Sequence, residues 1–168
     1  KDIEARQKTI NALVKWNHSF TDAHNFYGQY YYDKYYKNIP TNTHTIKTHD
    51  VELVDSLDLG RWSFFVSQVN MRRYTTEADL TGKVLTFAGQ KVNSTTLNNW
   101  SLSVQDKVNV IQDKVYITAG GKYENIGLIG SEVSPSAKVH WKINEKSFLW
   151  AGYNKSIRVP GQYEKDLG

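Results

Sequence analysis

The sequence predicts an all-β protein, an antiparallel up-and-down meander of about eight strands that forms part of a transmembrane β-barrel. Three observations support this prediction. Apolar and polar residues alternate with a period of two through the last third of the chain, which gives those strands one apolar face. A stretch of about 18 apolar residues, the minimum for a membrane-spanning helix, is absent from the sequence. Aromatic residues supply much of the apolar mass, with 11 Tyr and 5 Trp against 1 Met, and such rings are typical of membrane interfaces.

Four candidate strands occupy the first half of the chain. Thr9 to Phe20 alternates apolar and polar residues with two interruptions. Phe26 to Asn38 is predicted to be a long strand with tyrosine on both faces. Apolar and polar residues alternate again from Val51 to Leu59, and a glycine follows this strand. Trp62 to Arg73 is predicted to be the strand that returns antiparallel to it. These four segments predict two consecutive hairpins.

The connections between the strands are predicted to alternate in length. Turns of roughly five residues or fewer follow strands one, three, five and seven. Asn38 to Asp50 is predicted as a long loop, because it is rich in Asn, Thr and His and contains Pro40. Tyr74 to Thr95 is predicted as a second long loop of mixed charge. Short turns at one rim and longer loops at the other are typical of outer-membrane barrels.

The last four strands lie between residues 97 and 159 and have the most regular pattern. Their polar positions carry Asn, Ser, Lys, Glu and His side chains that would not enter a dry core without partners. One face is therefore expected to meet water or a wet lumen. The apolar positions are Trp100, Leu102, Val104, Val108, Val110, Val115, Ile117, Ala119, Gly121, Tyr123, Val133, Ala137, Val139, Trp141 and Ile143.

Composition excludes several other classes of protein. The absence of Cys removes disulfides, thiolate metal sites and cysteine nucleophiles. The net charge of +4 is spread along the chain without a basic run, so a nucleic-acid partner is not expected. The chain begins with Lys1 and has no secretory signal, and we expect a fragment or a processed product.

Neither a metal site nor a catalytic site is predicted. The five histidines, His18, His24, His44, His49 and His140, lack the spacing of a compact metal site. Carboxylates such as those of Glu52, Asp55 and Asp58 lie along one strand without a neighbouring nucleophile, which indicates a solvated strand face. Gly120 and Gly121 lie within a strand and precede no helix, so they do not form a phosphate-binding loop. No cofactor is expected.

Four segments near the end of the chain resemble the barrel of TonB-dependent outer-membrane receptors. They are VQDKVNV at Val104 to Val110, ITAGGKYE at Ile117 to Glu124, GSEVSPSAKVHW at Gly130 to Trp141, and LWAGYNKSIRVP at Leu149 to Pro160. The earlier strands, including the HDVELV start at His49, are similar in a looser way.

The resemblance implies a bacterial outer-membrane protein with a large barrel of about 22 strands, a plug domain, and a segment that contacts an energising TonB-type protein. Residues 1–168 would be one partial barrel segment, since neither a plug domain nor an energy-coupling box is visible. The family takes up ferric siderophores, haem, cobalamin or similar scarce ligands and is not enzymatic. Outer-membrane lipid and a small iron chelate are therefore the expected partners, with TonB-type coupling only through parts outside this segment.

The resemblance also implies that outer loops capture the ligand. Tyrosines near the first long loop, such as Tyr35 and Tyr36, have two open interpretations, either an aromatic belt with loop packing or stacking on an aromatic iron chelate. The candidate ligand-binding residues are Tyr35, Tyr36, His44, His49, Tyr74 and Phe87.

Two alternatives remain open from the sequence. A soluble or secreted β-barrel that binds a small apolar ligand in its interior has the same alternation, but it places the apolar residues inside. A small membrane-barrel hydrolase would need Ser, His and a carboxylate together at one rim, and no motif favours it. The solvent that meets the apolar face distinguishes the first alternative from a membrane barrel.

Overall fold

The computed structural model describes residues 6–39, 42–79, 94–127 and 130–156, and these form one antiparallel sheet of eight strands. Each strand pairs with its neighbours in chain order, so the sheet is an up-and-down meander and the predicted fold class is confirmed. Among the described residues, no helix has the length and apolarity required to cross a membrane. The strands are β1 (Arg6–Thr21), β2 (His24–Ile39), β3 (Asn42–Asp58), β4 (Ser63–Asp79), β5 (Ser94–Ile111), β6 (Val115–Ile126), β7 (Gly130–Asn144) and β8 (Ser147–Asn154).

Four short turns, after β1, β3, β5 and β7, lie at one end of the sheet, which we call the turn rim. Polar side chains accept backbone hydrogen bonds in the turns after β1, β3 and β7. The Gly60 amide donates to the Asp58 carboxylate at 2.8 Å, and the Lys146 amide donates to the Asn144 side chain at 2.9 Å. Gly60 has a φ of 65°, in the left-handed region that glycine adopts without strain. The opposite end, which we call the loop rim, includes the connection formed by residues 80–93.

Both predicted long loops are shorter than the sequence indicated. The segment Asn38 to Asp50 is mostly strand, because β2 continues to Ile39 and β3 begins at Asn42. Strand β4 likewise runs to Asp79, well into the predicted second loop. These extensions are polar on both faces, so they show no alternation although their backbones pair continuously. The missing alternation, and the turn-forming composition, explain the error.

Candidate ligand-facing surface

Strand register divides the side chains between two faces of the sheet, because directly paired residues of antiparallel strands lie on the same face. The face that we call the apolar face carries most of the alternating apolar residues, among them Ile10, Val14, Trp16, Val51, Leu53, Val69, Leu102, Val104, Ile117, Val139 and Leu149. The polar face carries their neighbours, among them Gln29, Asp50, Glu52, Gln68, Asn70, Arg72, Ser101, Ser103, Lys122, Glu124 and Ser134.

The polar face is the better buried of the two. The side chains of Asp50, Ser101 and Ile126, which are 6%, 8% and 9% exposed, all lie on it. On the apolar face, Trp16 is 58% exposed and Leu102 is 45% exposed. The polar face is therefore the concave side of the curved sheet and the apolar face is the convex side. A soluble barrel with an apolar interior requires the opposite arrangement, so the geometry argues against that alternative.

A charged network lies at the centre of the polar face, across β3 and β4. The buried Asp50 carboxylate accepts a hydrogen bond from Arg72 Nε at 2.5 Å and another from Asn70 Nδ2 at 3.2 Å. Beside it, Gln68 Nε2 donates to Glu52 at 2.6 Å. Because Arg72 is paired but still 58% exposed, part of its guanidinium faces the space in front of the sheet. That arrangement provides hydrogen-bond donors for an anion.

The network continues onto β5 and β6. Lys122 and Glu124, neighbours on one face of β6, form an ion pair of 2.6 Å. A cavity of about 340 Å³ lies between this pair and Arg72, with Asn99 and Ser101 also in its lining. The sequence did not single out Asp50, Arg72, Lys122 or Glu124 as a site. The sequence did contain one signal for these residues, namely their place in the alternation. Each lies next to an apolar-face residue along its strand and therefore belongs to the opposite face.

Three of the candidate ligand-binding residues lie on the polar face, between the charged network and the loop rim. They are Tyr35 on β2, His44 on β3 and Tyr74 on β4, and all three are half-buried. Tyr35 pairs with Ile46, while Tyr74 pairs with Thr48 and Leu97. They belong to paired strands and not to the long loops in which His44 and Tyr74 were expected.

Two other candidates, Tyr36 and His49, lie on the apolar face. His49 Nδ1 is 2.8 Å from the Tyr30 hydroxyl, and its ring centroid is 5.0 Å from that of Tyr32. The predicted loop position of His49 is wrong, because it pairs with Arg73 within β3 and β4. The sixth candidate, Phe87, lies outside the described residues.

On the apolar face, between its apolar residues and the loop rim, Lys47 and Glu77 form an ion pair of 2.8 Å. The hydrogen bond to Glu77, together with the charge of that carboxylate, raises the pKa of Lys47. The position marks the point at which the apolar face has become polar.

A second and larger cavity lies at the turn rim on the polar face of β5 to β8. Its volume is about 650 Å³, and Lys107, Tyr116, His140, Lys142 and Phe148 contribute to its lining. The Lys107 ammonium lies over the Tyr116 ring, 4.8 Å from its centroid. Cation–π contacts of this kind hold a lysine in place while leaving its charge available.

Neither a catalytic carboxylate pair nor a metal centre is assembled within the described ranges. Glu52 and Asp55 lie on opposite faces of β3, and Asp55 instead contacts His24 Nε2 at 2.7 Å. No three His, Asp or Glu side chains of the described segments converge on a point where a metal could bind. The surface can therefore bind and orient a ligand through hydrogen bonds, charge and aromatic contact.

The family model described as TonB dependent receptor-like, beta-barrel, matches residues 4–167. No curated protein matches the sequence significantly. Among solved structures, the chain is similar to the siderophore receptor PirA from Pseudomonas aeruginosa, with a TM-score of 0.75 and 15% identity over 95% of this chain.

The match covers only 28% of that receptor's chain, so the sequence spans little more than a quarter of the solved structure that it resembles. At this level of identity the likeness establishes the fold alone. A second structure, the translocator domain of the autotransporter NalP from Neisseria meningitidis, aligns over 92% of this chain and 76% of its own at 11% identity, with a TM-score of 0.37.

Proposed function

Because the chain belongs to the TonB-dependent receptor β-barrel family, we propose that it forms part of the barrel wall of an outer-membrane receptor that takes up a ferric siderophore or a similar scarce iron chelate. The observation that carries the proposal is the division of the sheet into an exposed apolar convex face and a polar concave face. Lipid on the convex side and a hydrated lumen on the concave side satisfy both faces, as in other transmembrane barrels.

The strand lengths support a wall of this kind. On β7, the apolar-face positions run from Val133 to Trp141, a length of nine residues. A transmembrane β-strand needs about 9–11 residues. The sheet also pairs every internal strand on both sides, which satisfies the backbone in a hydrocarbon environment. In the intact receptor, further strands would pair with the free edges of β1 and β8.

The ligand would meet the polar face between its centre and the loop rim. Tyr35 and Tyr74 offer phenol rings for stacking or hydrogen bonding, and His44 adds an imidazole on the strand between them. Arg72 lies directly below and offers its guanidinium to an anionic chelate. Phe87 keeps its proposed role as a further contact from the connection between β4 and β5.

Capture at this surface would precede release through the barrel. The TonB-type energising protein would act through other parts of the receptor, because the proposal assigns these residues to the barrel wall. The proposal therefore assigns recognition, and no chemical step, to the surface described.

The experiment uses the full-length receptor that contains this segment, expressed in cells lacking their own receptors for the probe. Uptake and equilibrium binding of radiolabelled ferric siderophore are measured under iron limitation, with haem and cobalamin tested in parallel. We expect Tyr35→Ala and Tyr74→Ala each to weaken binding of the accepted probe about 5–10-fold, within the range of aromatic interface residues. Tyr153→Ala, which removes an exposed tyrosine of the apolar face, is the matched control.

Unchanged affinity in both polar-face variants would contradict the assigned surface. Failure of every probe to enter cells that display the folded receptor would contradict the proposed uptake function. Uptake of haem in place of the siderophore would identify which iron chelate is taken up, whereas uptake of cobalamin alone would keep the class of function and overturn the iron chelate as the ligand.

A further inference from the structure

The apolar face changes from apolar to basic within two residues along β3 and β4. Val51 pairs with Met71, which pairs with Trp100, and this row of apolar side chains crosses three strands. The next row toward the loop rim pairs His49 with Arg73. Two residues of a strand span about 7 Å, so the boundary is abrupt.

One row further toward the loop rim, Lys34 and Lys47 are direct cross-strand partners. Like charges directly opposite each other destabilise a sheet. The Glu77 carboxylate lies 2.8 Å from Lys47 Nζ and balances the charge of that lysine. Neither Lys34 nor Arg73 has an acidic partner within the described ranges. We call Lys34, Lys47 and Arg73 the basic patch. Its charge is only partly balanced by the sheet itself.

Aromatic rings lie at the same boundary. Tyr30 and Tyr32 on β2 both contact His49, through a 2.8 Å hydrogen bond and a 5.0 Å ring contact. Amphipathic rings of this type lie at the headgroup level of a bilayer. The basic patch therefore begins at the level where the headgroups of a lipid layer would start, if the apolar face contacts the acyl chains.

We propose that the basic patch binds the phosphate groups of a lipid headgroup in the outer leaflet. The inference rests on the proposed function, since it requires the apolar face to contact the membrane. A lipid is favoured over a soluble phosphate compound because the patch is an open surface that joins the apolar residues without a break. One lipid molecule can therefore place its acyl chains on the apolar residues and its phosphates on the basic patch. The outer leaflet follows from the orientation, because longer connections face outward in such barrels.

The test uses the full-length receptor in nanodiscs of phosphatidylcholine, to which lipid A with two phosphates, or its dephosphorylated form, is added. Bound lipid is measured by native mass spectrometry over a titration. Each lysine or arginine near an anionic headgroup contributes about a fivefold gain in affinity. We therefore expect the variant K34Q/K47Q/R73Q to bind the phosphorylated lipid on the order of 100-fold more weakly and to lose the preference over the dephosphorylated form.

The matched control is K114Q/K138Q/K146Q, which removes the same charge from the polar face and the turn rim. It should bind the phosphorylated lipid as the wild type does. Equal loss in both triple variants would overturn the inference, because net charge alone would then explain the affinity. Unchanged binding in K34Q/K47Q/R73Q would also overturn it.

Single variants keep the test decisive if the triple variant does not fold. Arg73 is exposed, and Arg73→Gln should weaken binding about fivefold with substantial recovery in Arg73→Lys. Binding of the ferric chelate is measured on the same samples in detergent. Lipid selectivity without chelate binding would reject the proposed ligand and retain the basic patch, whereas chelate binding with no lipid selectivity would reject only the basic patch.

Discussion

Strands β2 to β4 and strands β6 to β8 belong to one sheet, but they extend to different distances. The first group has 16, 17 and 17 residues per strand, and the second has 12, 15 and 8. Most of the length of β6 to β8 is the alternating segment itself. Strands β2 to β4 continue for several residues toward the loop rim after the alternation has ended.

The difference indicates a division of roles within the wall. In β6 to β8, the apolar residues of one face account for the alternation, and the polar face holds isolated contacts, such as the Lys122–Glu124 ion pair and Lys138 over the Trp150 ring. In β2 to β4, the polar face holds the Asp50 network and the extensions hold Tyr35, His44 and Tyr74. The same extensions hold the basic patch on their other face. In the proposed function, membrane contact and ligand recognition would therefore involve different parts of the same strands.

The largest expected effect comes from a charge placed on the apolar face of β7. Val139→Arg should destabilise the full-length receptor by about 2–4 kcal/mol, because an arginine within the proposed lipid-facing band must be desolvated. Thr45→Arg lies on the same face of β3 but in the polar extension, and it should cost less than about 1 kcal/mol. Urea unfolding of both receptors refolded into lipid measures the two values.

Ser136→Arg supplies the control for the face, because Ser136 lies on β7 with its side chain on the polar face. A small change there, together with a large change at position 139, would support lipid contact by the apolar face. Similar costs for the arginines at positions 45 and 139 would contradict the distinction between the extension and the alternating segment.

The regular part of the fold could be predicted from the sequence because the alternation of apolar and polar residues is itself a strand signal. From Trp100 to Trp141, one face of the strands is apolar and the other is polar, and the strands follow from that pattern. His44 and Tyr74 were placed in loops for the converse reason. Where both faces are polar, a paired strand and a loop have the same composition.

The candidate surface was less predictable because it depends on register. Asp50 and Arg72 are 22 positions apart, and only the pairing of β3 with β4 brings them together. Register also divides the predicted candidates between two faces, with Tyr35 on one and its neighbour Tyr36 on the other. A shift of one residue would exchange them, and the sequence alone does not fix the pairing at that resolution.

The buried carboxylate of Asp50 distinguishes the two groups of strands. Asp50→Ala should destabilise the receptor by about 2–3 kcal/mol, because Arg72 and Asn70 each lose an acceptor while the cavity left behind stays largely buried. Glu132→Gln on the polar face of β7 should change stability by less than about 0.5 kcal/mol. Thermal unfolding of the refolded receptor compares the two variants.

A double-mutant cycle separates the ion pair from the loss of packing. If Asp50→Ala is costly chiefly because it leaves the Arg72 guanidinium without its carboxylate partner, then adding Arg72→Ala should recover part of the lost stability. Strictly additive costs would contradict a coupled network across β3 and β4. The comparison between the strand groups would then rest on length alone.

The smallest expected effect compares one glycine from each group. A Cβ at Gly120 on β6 would lie 2.6 Å from the Val104 carbonyl oxygen, whereas a Cβ at Gly28 on β2 would meet only the Phe26 and Leu53 side chains, at 3.4 and 3.6 Å. Gly120→Ala must therefore displace the backbone of β5 and should cost about 1–3 kcal/mol. Gly28→Ala should be neutral or stabilising by up to about 1 kcal/mol, since alanine restricts the unfolded chain. Urea unfolding of both variants checks the difference, and an equal response would mean that β5 and β6 approach each other no more closely than β2 and β3.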